Sequence, residues 1–277
     1  MLRPFHQVDV FASRAFSGNP VAVVHEADGI STEQMLQLTD WTNLSEATFL
    51  LPPTDETADY RVRIFCPGRE LPFAGHPTLG TCQAWLAAGG VPKSDNIIQE
   101  CSAGLIPIRS DGDRLAFAAP PMTRTGPGES AFVAERLRQL GLNADDVVDA
   151  AWIDNGPGWF GILLRSADDV MGVALPSELI PGFDVGLIGP HSNDECAIEV
   201  RAFFADTTGN VREDPVTGSL NASAAQWLLG SGRLQAPYVA SQGTELGRRG
   251  RVFVNEADGE IWVGGRSVVS ISGTIDI

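Results

Sequence analysis

The sequence predicts an α+β protein of two pseudo-equivalent halves, each a barrel-like β-sheet around a central apolar α-helix. Three observations carry this expectation. PTLGTCQAWLAA (residues 77–88) and SLNASAAQWLL (residues 219–229) have helical composition and not one charged residue. A helix with no polar stripe is buried on all sides, and here short apolar strands flank both segments. The two segments also share their ending, AWLAAGG against QWLLGSG, about half a chain apart, a sign of internal duplication.

The elements follow in order. HQVDVFA alternates and VAVV is a short buried strand, with turn chemistry in SRAFSGNP between them. Ser31 is placed as an N-cap with Gln34 at the capping-box position, opening a helix to about Asp40. EATFLLPP and YRVRIFCP are strands stopped by proline. Pro77 at the first helical position and Gly89-Gly90 past the end bound the first apolar helix. IIQECSAGLIPI and RLAFAAP complete the first half, and PPMTRTGPGES, near residues 120–130, is the linker. The halves are therefore 1–120 and 121–277. CAIEVRAFF precedes the second apolar helix, which Gly230 stops; RVFVNEADGEIWVGG and VVSISGTIDI follow. The last strand, about 266–277, is free on this pattern to join either half.

With 277 residues, 43% hydrophobic and 19% charged, the chain has the composition of a globular protein. A net charge of −16 works against nucleic acid or anionic membrane partners. GRRGR (247–251) is the one dense basic cluster and reads as a turn with solvated arginines. No apolar run approaches the roughly 18 residues of a membrane span, and MLRPFHQVDVF lacks the apolar stretch of a signal peptide. Cys66, Cys82, Cys101 and Cys196 show no CxxC spacing, as expected of reduced thiols in a cytoplasmic protein. His6, His25, His76 and His191 show no metal-ligand spacing, so neither metal nor organic cofactor is expected.

Each apolar helix opens on small residues: Ala74-Gly75-His76 in one, Thr217-Gly218-Ser219 in the other. First-turn N–H groups have no intrahelical partner and carry partial positive charge. Glycine lets a ligand approach them, so two such mouths facing one another would form a cleft for a carboxylate or phosphate. Glycine, serine and threonine are also simply good helix starts, and either motif alone has that plain explanation. Three polar residues beside such turns or before a strand can do chemistry. Glu46, in WTNLSEATFLL, is a candidate general base and acid if held in apolar surroundings; an exposed residue before a strand fits the same spacing. His76 and Asp214 have the alternatives of a capping residue and a turn residue before Pro215.

NLSEATF, GRELPFAGHPTLGT and EDPVTGSLNAS, in this order, resemble the signature blocks of the PhzF-type isomerase family of phenazine biosynthesis. FHQVDVFASRAFSGNPVAVV is similar to that family's N-terminal block and SQGTELGRRGRV to a late one, so the resemblance covers nearly the whole chain. It implies a diaminopimelate epimerase-like fold, an active site between the halves, and a homodimer. The implied catalytic residues are Glu46, His76 and Asp214, and the implied substrate-binding residues are Gly75, Gly218 and Ser219. The implied reaction is a proton shift of the trans-2,3-dihydro-3-hydroxyanthranilate isomerase type, on a small carboxylic acid, without metal or cofactor.

The epimerase relatives use two cysteines, whereas GHPTLG and VTGSLN contain none, which points away from two-thiol racemisation. Where many members of the family read DPVTGSAH this chain reads DPVTGSLN, and a bulkier Leu220 is expected to bear on which acid fits. Two rival readings stand beside the isomerase. One is a hydrolase with a Ser219–His76–Asp214 triad, against which counts the lack of a GxSxG elbow and the usual role of a serine at a helix start. The other is a protein that binds a small acid without turning it over.

Overall fold

The computed structural model describes residues 1–176, 184–192, 195–205 and 210–277. These form two compact units, Met1–Ala118 with Gly264–Ile277, and Ala119–Val263. The first unit holds β1 (Leu2–Val10), β2 (Asn19–Val24), α1 (Thr32–Thr42), β3 (Ala47–Leu51), β4 (Tyr60–Cys66), β5 (Arg69–Leu71), α2 (Gly75–Ala87), β6 (Ile97–Cys101), β7 (Gly104–Asp111) and β8 (Arg114–Ala118). The second holds β9 (Arg124–Pro127), α3 (Ser130–Leu140), β10 (Val147–Asp154), β11 (Trp159–Leu164), α4 (Ala167–Gly172), β12 (Asp184–Pro190), β13 (Ile198–Ala205), β14 (Val211–Asp214), α5 (Gly218–Gly230), β15 (Tyr238–Gln242) and β16 (Gly250–Ala257). The long β17 (Glu260–Asp276) begins in the second unit and ends in the first.

In the first unit the strands close on themselves. β1–β2 pair antiparallel, β2–β3 parallel, β3–β4 antiparallel, β4–β6 parallel, and β6–β7–β8 antiparallel. β17 then joins β8 to β1, completing a ring of eight strands. Closure leaves no free edge, and the ring encloses α2, which packs on β1, β2, β3, β6 and β8. The helix sits close to the wall: a β-carbon on Gly80 would lie 2.3 Å from Val21 Cγ1. Outside the ring, α1 covers a second core layer with Met35 and Leu38 against Phe49 and Phe65. Its capping box forms as expected, Gln34 N donating to Ser31 Oγ (3.2 Å) and Ser31 N to Gln34 Oε1 (3.0 Å).

The second unit repeats the pairing pattern. β10–β11 are antiparallel, β11–β12 parallel, β12–β13 antiparallel, β13–β15 parallel and β15–β16 antiparallel. β14 hangs on β13 as β5 hangs on β4. The 13-residue α5 occupies the place of the 13-residue α2, so Gly218 and Ser219 correspond to Gly75 and His76 as the first two helical residues. The duplication suggested by two uncharged helices thus extends to the sheets around them.

Some local expectations shift. α2 starts at Gly75, two residues before Pro77, so the proline occupies the third helical position; its missing N–H would be without an intrahelical partner there too. The segment read as a linker contains β9, paired with β10, and runs into the amphipathic α3. No helix of the described residues is long and apolar enough to cross a membrane, and none of the four cysteines is in a disulfide.

Candidate active site

Three segments of the first unit meet at the first turn of α2. α1 ends on Asn43 in the left-handed conformation (φ 54°), and the chain then turns through Ser45-Glu46 into β3. Glu46 therefore precedes a buried strand, with its side chain 16% exposed. Its Oε2 stands 3.4 Å from Nε2 of His76, which is buried as the second residue of α2. On the other side of the imidazole, Asn19 Nδ2 lies 3.5 Å from Nδ1. Asn19 is carried by the β1–β2 connection, which the buried Asp9 carboxylate ties down by accepting from Ser17 N (3.0 Å) and Gly18 N (2.9 Å).

Burial pushes the His76 imidazole down to about 3. The ring is neutral, so its contact with Glu46 is not an ion pair. Where the Asn19 amide donates to Nδ1, the ring proton is on Nε2, the nitrogen that faces the carboxylate. His25 is likewise lowered to about 4, by burial first and then by His6, whose Nδ1 lies 2.8 Å from His25 Nε2. The unfolded chain protonates these histidines near pH 6.5 and the folded chain does so only near 3 to 4. The unfolded state therefore binds more protons in that window, and their share of stability, complete above about pH 6.5, is lost as pH falls. Melting temperatures at constant ionic strength are expected to decline from pH 7 to pH 5, with a shallower slope in His76→Gln. Equal slopes in the two proteins would reject this account.

In the second unit the mouth of α5 is held by side chains distant in sequence. Trp159 Nε1 donates to Ser219 Oγ (3.0 Å), and Asn155 Nδ2 donates to Ser219 O (2.8 Å). Ser219 Oγ already accepts a hydrogen bond, which leaves its own proton available to an acceptor. Asp214, the last residue of β14, accepts from Thr217 Oγ1 at 2.6 Å. Asn19 and Trp159 are each the first residue of corresponding strands, and each contacts the second residue of its unit's central helix.

Of the sequence-predicted residues, Glu46, Gly75 and His76 lie together in the first unit, and Asp214, Gly218 and Ser219 in the second. Asn19, Asn155, Trp159 and Gln242 were given no role by the sequence, because their partners lie up to 64 positions away and no spacing rule links them. Leu220 has a fully buried side chain, and a β-carbon on Gly186 of β12 would lie 2.4 Å from Leu220 Cδ1, so it packs against the inner side of the sheet. Asn221 is also buried, donating to Thr217 O and Gln242 Oε1. Cys82 lies within α2, away from its first turn, and burial drives its thiol up to about 12, far from a reactive thiolate at neutral pH. Among the described residues no three His, Cys, Asp or Glu side chains stand together in a way that could hold a metal ion.

The family profile of phenazine biosynthesis-like proteins matches residues 8–273. The chain is 37% identical over 299 aligned positions to "Antisense-enhancing sequence 1" of Schizosaccharomyces pombe, covering 97% of both chains. It is 34% identical to the trans-2,3-dihydro-3-hydroxyanthranilate isomerase of Pseudomonas aeruginosa, covering 91% of this chain and 90% of that one. A solved structure from Enterococcus faecalis, described as a PhzF-family phenazine biosynthesis protein, superposes with a TM-score of 0.81 over 100% of both chains. At 23% identity that likeness concerns the fold.

Proposed function

The chain belongs to the phenazine biosynthesis-like protein family, whose named relatives include isomerases, and we propose that it shifts a proton within a small unsaturated carboxylic acid. The substrate class is that of trans-2,3-dihydro-3-hydroxyanthranilate, and no cofactor takes part. The main support is the juxtaposition of Glu46 and a neutral His76 at the first turn of an apolar helix, 3.4 Å apart.

In this reading the N–H groups of Gly218 and Ser219 bind the acid's carboxylate, with the Ser219 hydroxyl donating to it and Gly75 offering a further N–H. Glu46 takes a proton from an acidic carbon, and the C–H electron pair enters the conjugated system. Protonated Glu46 then delivers the same proton to another carbon on the same face. Composition and oxidation state are unchanged; a double bond has moved. The Nε2–H of His76 orients the Glu46 carboxylate and donates to charge developing on the substrate, and Asp214 orients the substrate from the α5 side. A thiol pair has no place in this scheme, since the residues opening the two helices are Gly75-His76 and Gly218-Ser219. The cytoplasmic homodimer implied by the family belongs to the same proposal.

Proton–deuterium exchange followed by NMR in D2O tests it, with a panel of unsaturated and hydroxylated small acids. Deuterium is expected to enter at least one acid at a defined carbon, catalytically in protein. Acids that raise the melting temperature but never exchange would instead identify a protein that only binds.

A further inference from the structure

We propose that Gln242 is a positioning residue for Asp214, holding the turn that carries the carboxylate and, through the Thr217 hydroxyl, setting the direction in which the carboxylate points. This rests on the role given to Asp214 above. A glutamine side chain offers an oxygen with two lone pairs and a nitrogen with two hydrogens. Gln242, the last residue of β15 and fully buried, uses all four. Its Oε1 accepts from Thr217 N (3.0 Å) and Asn221 Nδ2 (2.8 Å). Its Nε2 donates to Asp214 O (3.2 Å) and Thr217 Oγ1 (2.9 Å).

Every partner lies in the DPVTGSLN segment. The direction of the chain of bonds matters as much as their number. Thr217 Oγ1 accepts a hydrogen bond from Gln242 Nε2, so its own hydrogen is directed onward to Asp214 Oδ2 at 2.6 Å. A buried amide thus polarises a hydroxyl, which in turn holds one carboxylate oxygen.

The residues after Gln242 reinforce the contact. Gly243 has φ +88°, and a β-carbon there would lie 2.5 Å from Pro215 O; one on Gly250 would lie 2.4 Å from Val216 Cγ2. The SQGTELGRRG stretch therefore lies flush against the Asp214–Thr217 turn. The first unit offers a comparison. Gln99 of β6 donates to Oγ1 of Thr78, the fourth residue of α2, as Gln242 accepts from Asn221, the fourth residue of α5. Gln99 Oε1 also accepts from the Tyr60 hydroxyl (3.3 Å). Both central helices are braced by a glutamine at the fourth residue, and the extension to a threonine–aspartate pair belongs to the second unit.

Two variants test the relay. Gln242→Glu keeps the shape but replaces the donor with an acceptor, so the Thr217 hydroxyl turns toward it and away from Asp214. Thr217→Val deletes the hydroxyl and keeps the Gln242 bonds to Thr217 N and Asn221, so it remains informative if the buried charge prevents folding of the first. The carboxyl carbon of Asp214, followed by 13C NMR at fixed pH, is expected to shift in the same direction in both, with no further shift in the double variant. Each variant is expected to lower the exchange rate at saturating acid about tenfold, and to cost nothing further in an Asp214→Asn background, since coupled residues are non-additive. An unmoved Asp214 resonance in Thr217→Val, or an undiminished rate loss in the Asp214→Asn background, overturns the proposal. Should the wild type exchange no acid at all, the isomerase reading fails, and the Asp214 resonance alone then decides the relay.

Discussion

Glu46→Gln is expected to lower deuterium uptake at saturating acid by about 10³-fold, within the range attributed to a positioned general acid–base, while acid affinity changes by no more than about threefold. The amide keeps the volume and one acceptor of the carboxylate but cannot carry a proton between two carbons. Few nearby groups can take over. Burial has brought His76 down to about 3, so its neutral ring is a weak base. The Cys82 thiol, raised to about 12, supplies almost no thiolate at neutral pH. The loss is therefore expected in the rate and not in binding, the pattern of an interaction made in the transition state. A circular dichroism melt of the variant checks that the fold is retained. A rate within tenfold of wild type would sink the Glu46 mechanism and move attention to Asp214.

The parts of this protein that were legible in its sequence are those written locally. Absence of charge over some twelve residues was enough to place α2 and α5 at the centres of their sheets, and the shared Trp-Leu ending exposed the duplication. The Ser31–Gln34 capping box was readable because both partners lie within one turn. Strand closure was not: β17 pairs with β1 across almost the whole chain, and periodicity is silent on which strands meet. The same limit applies at the candidate site. Glu46, His76, Asp214 and Ser219 are chemically conspicuous within the quoted blocks; Asn19 and Gln242 lie in such blocks too, but nothing local marks them as orienting residues. Asn19 reads as turn chemistry in SRAFSGNP, Gln242 stands without a role in SQGTELGRRGRV, and Trp159 lies in none of the segments singled out. Their roles follow from hydrogen bonds reached only after folding.

Leu220 supplies the largest stability effect expected here. It directly follows Ser219, yet a helix turns by about 100° per residue, which points neighbouring side chains in different directions. Ser219 meets Trp159 at the mouth, whereas Leu220 packs inward on Gly186, where only a residue without a β-carbon leaves room. Leu220→Ala is expected to cost about 2–5 kcal/mol, the transfer term plus an unfilled cavity. That corresponds to a fall in melting temperature of roughly 3–9 °C for a chain of this size. Alanine preserves helix propensity and leaves the Trp159 and Asn155 contacts to Ser219 in place. The ranking of acids in the exchange panel should therefore stay as in wild type, measured well below the lowered melting temperature. The paired experiment separates the two roles cleanly. A large thermal loss with unchanged ranking places Leu220 in the core, whereas a changed ranking with little thermal loss would return it to the substrate's surroundings.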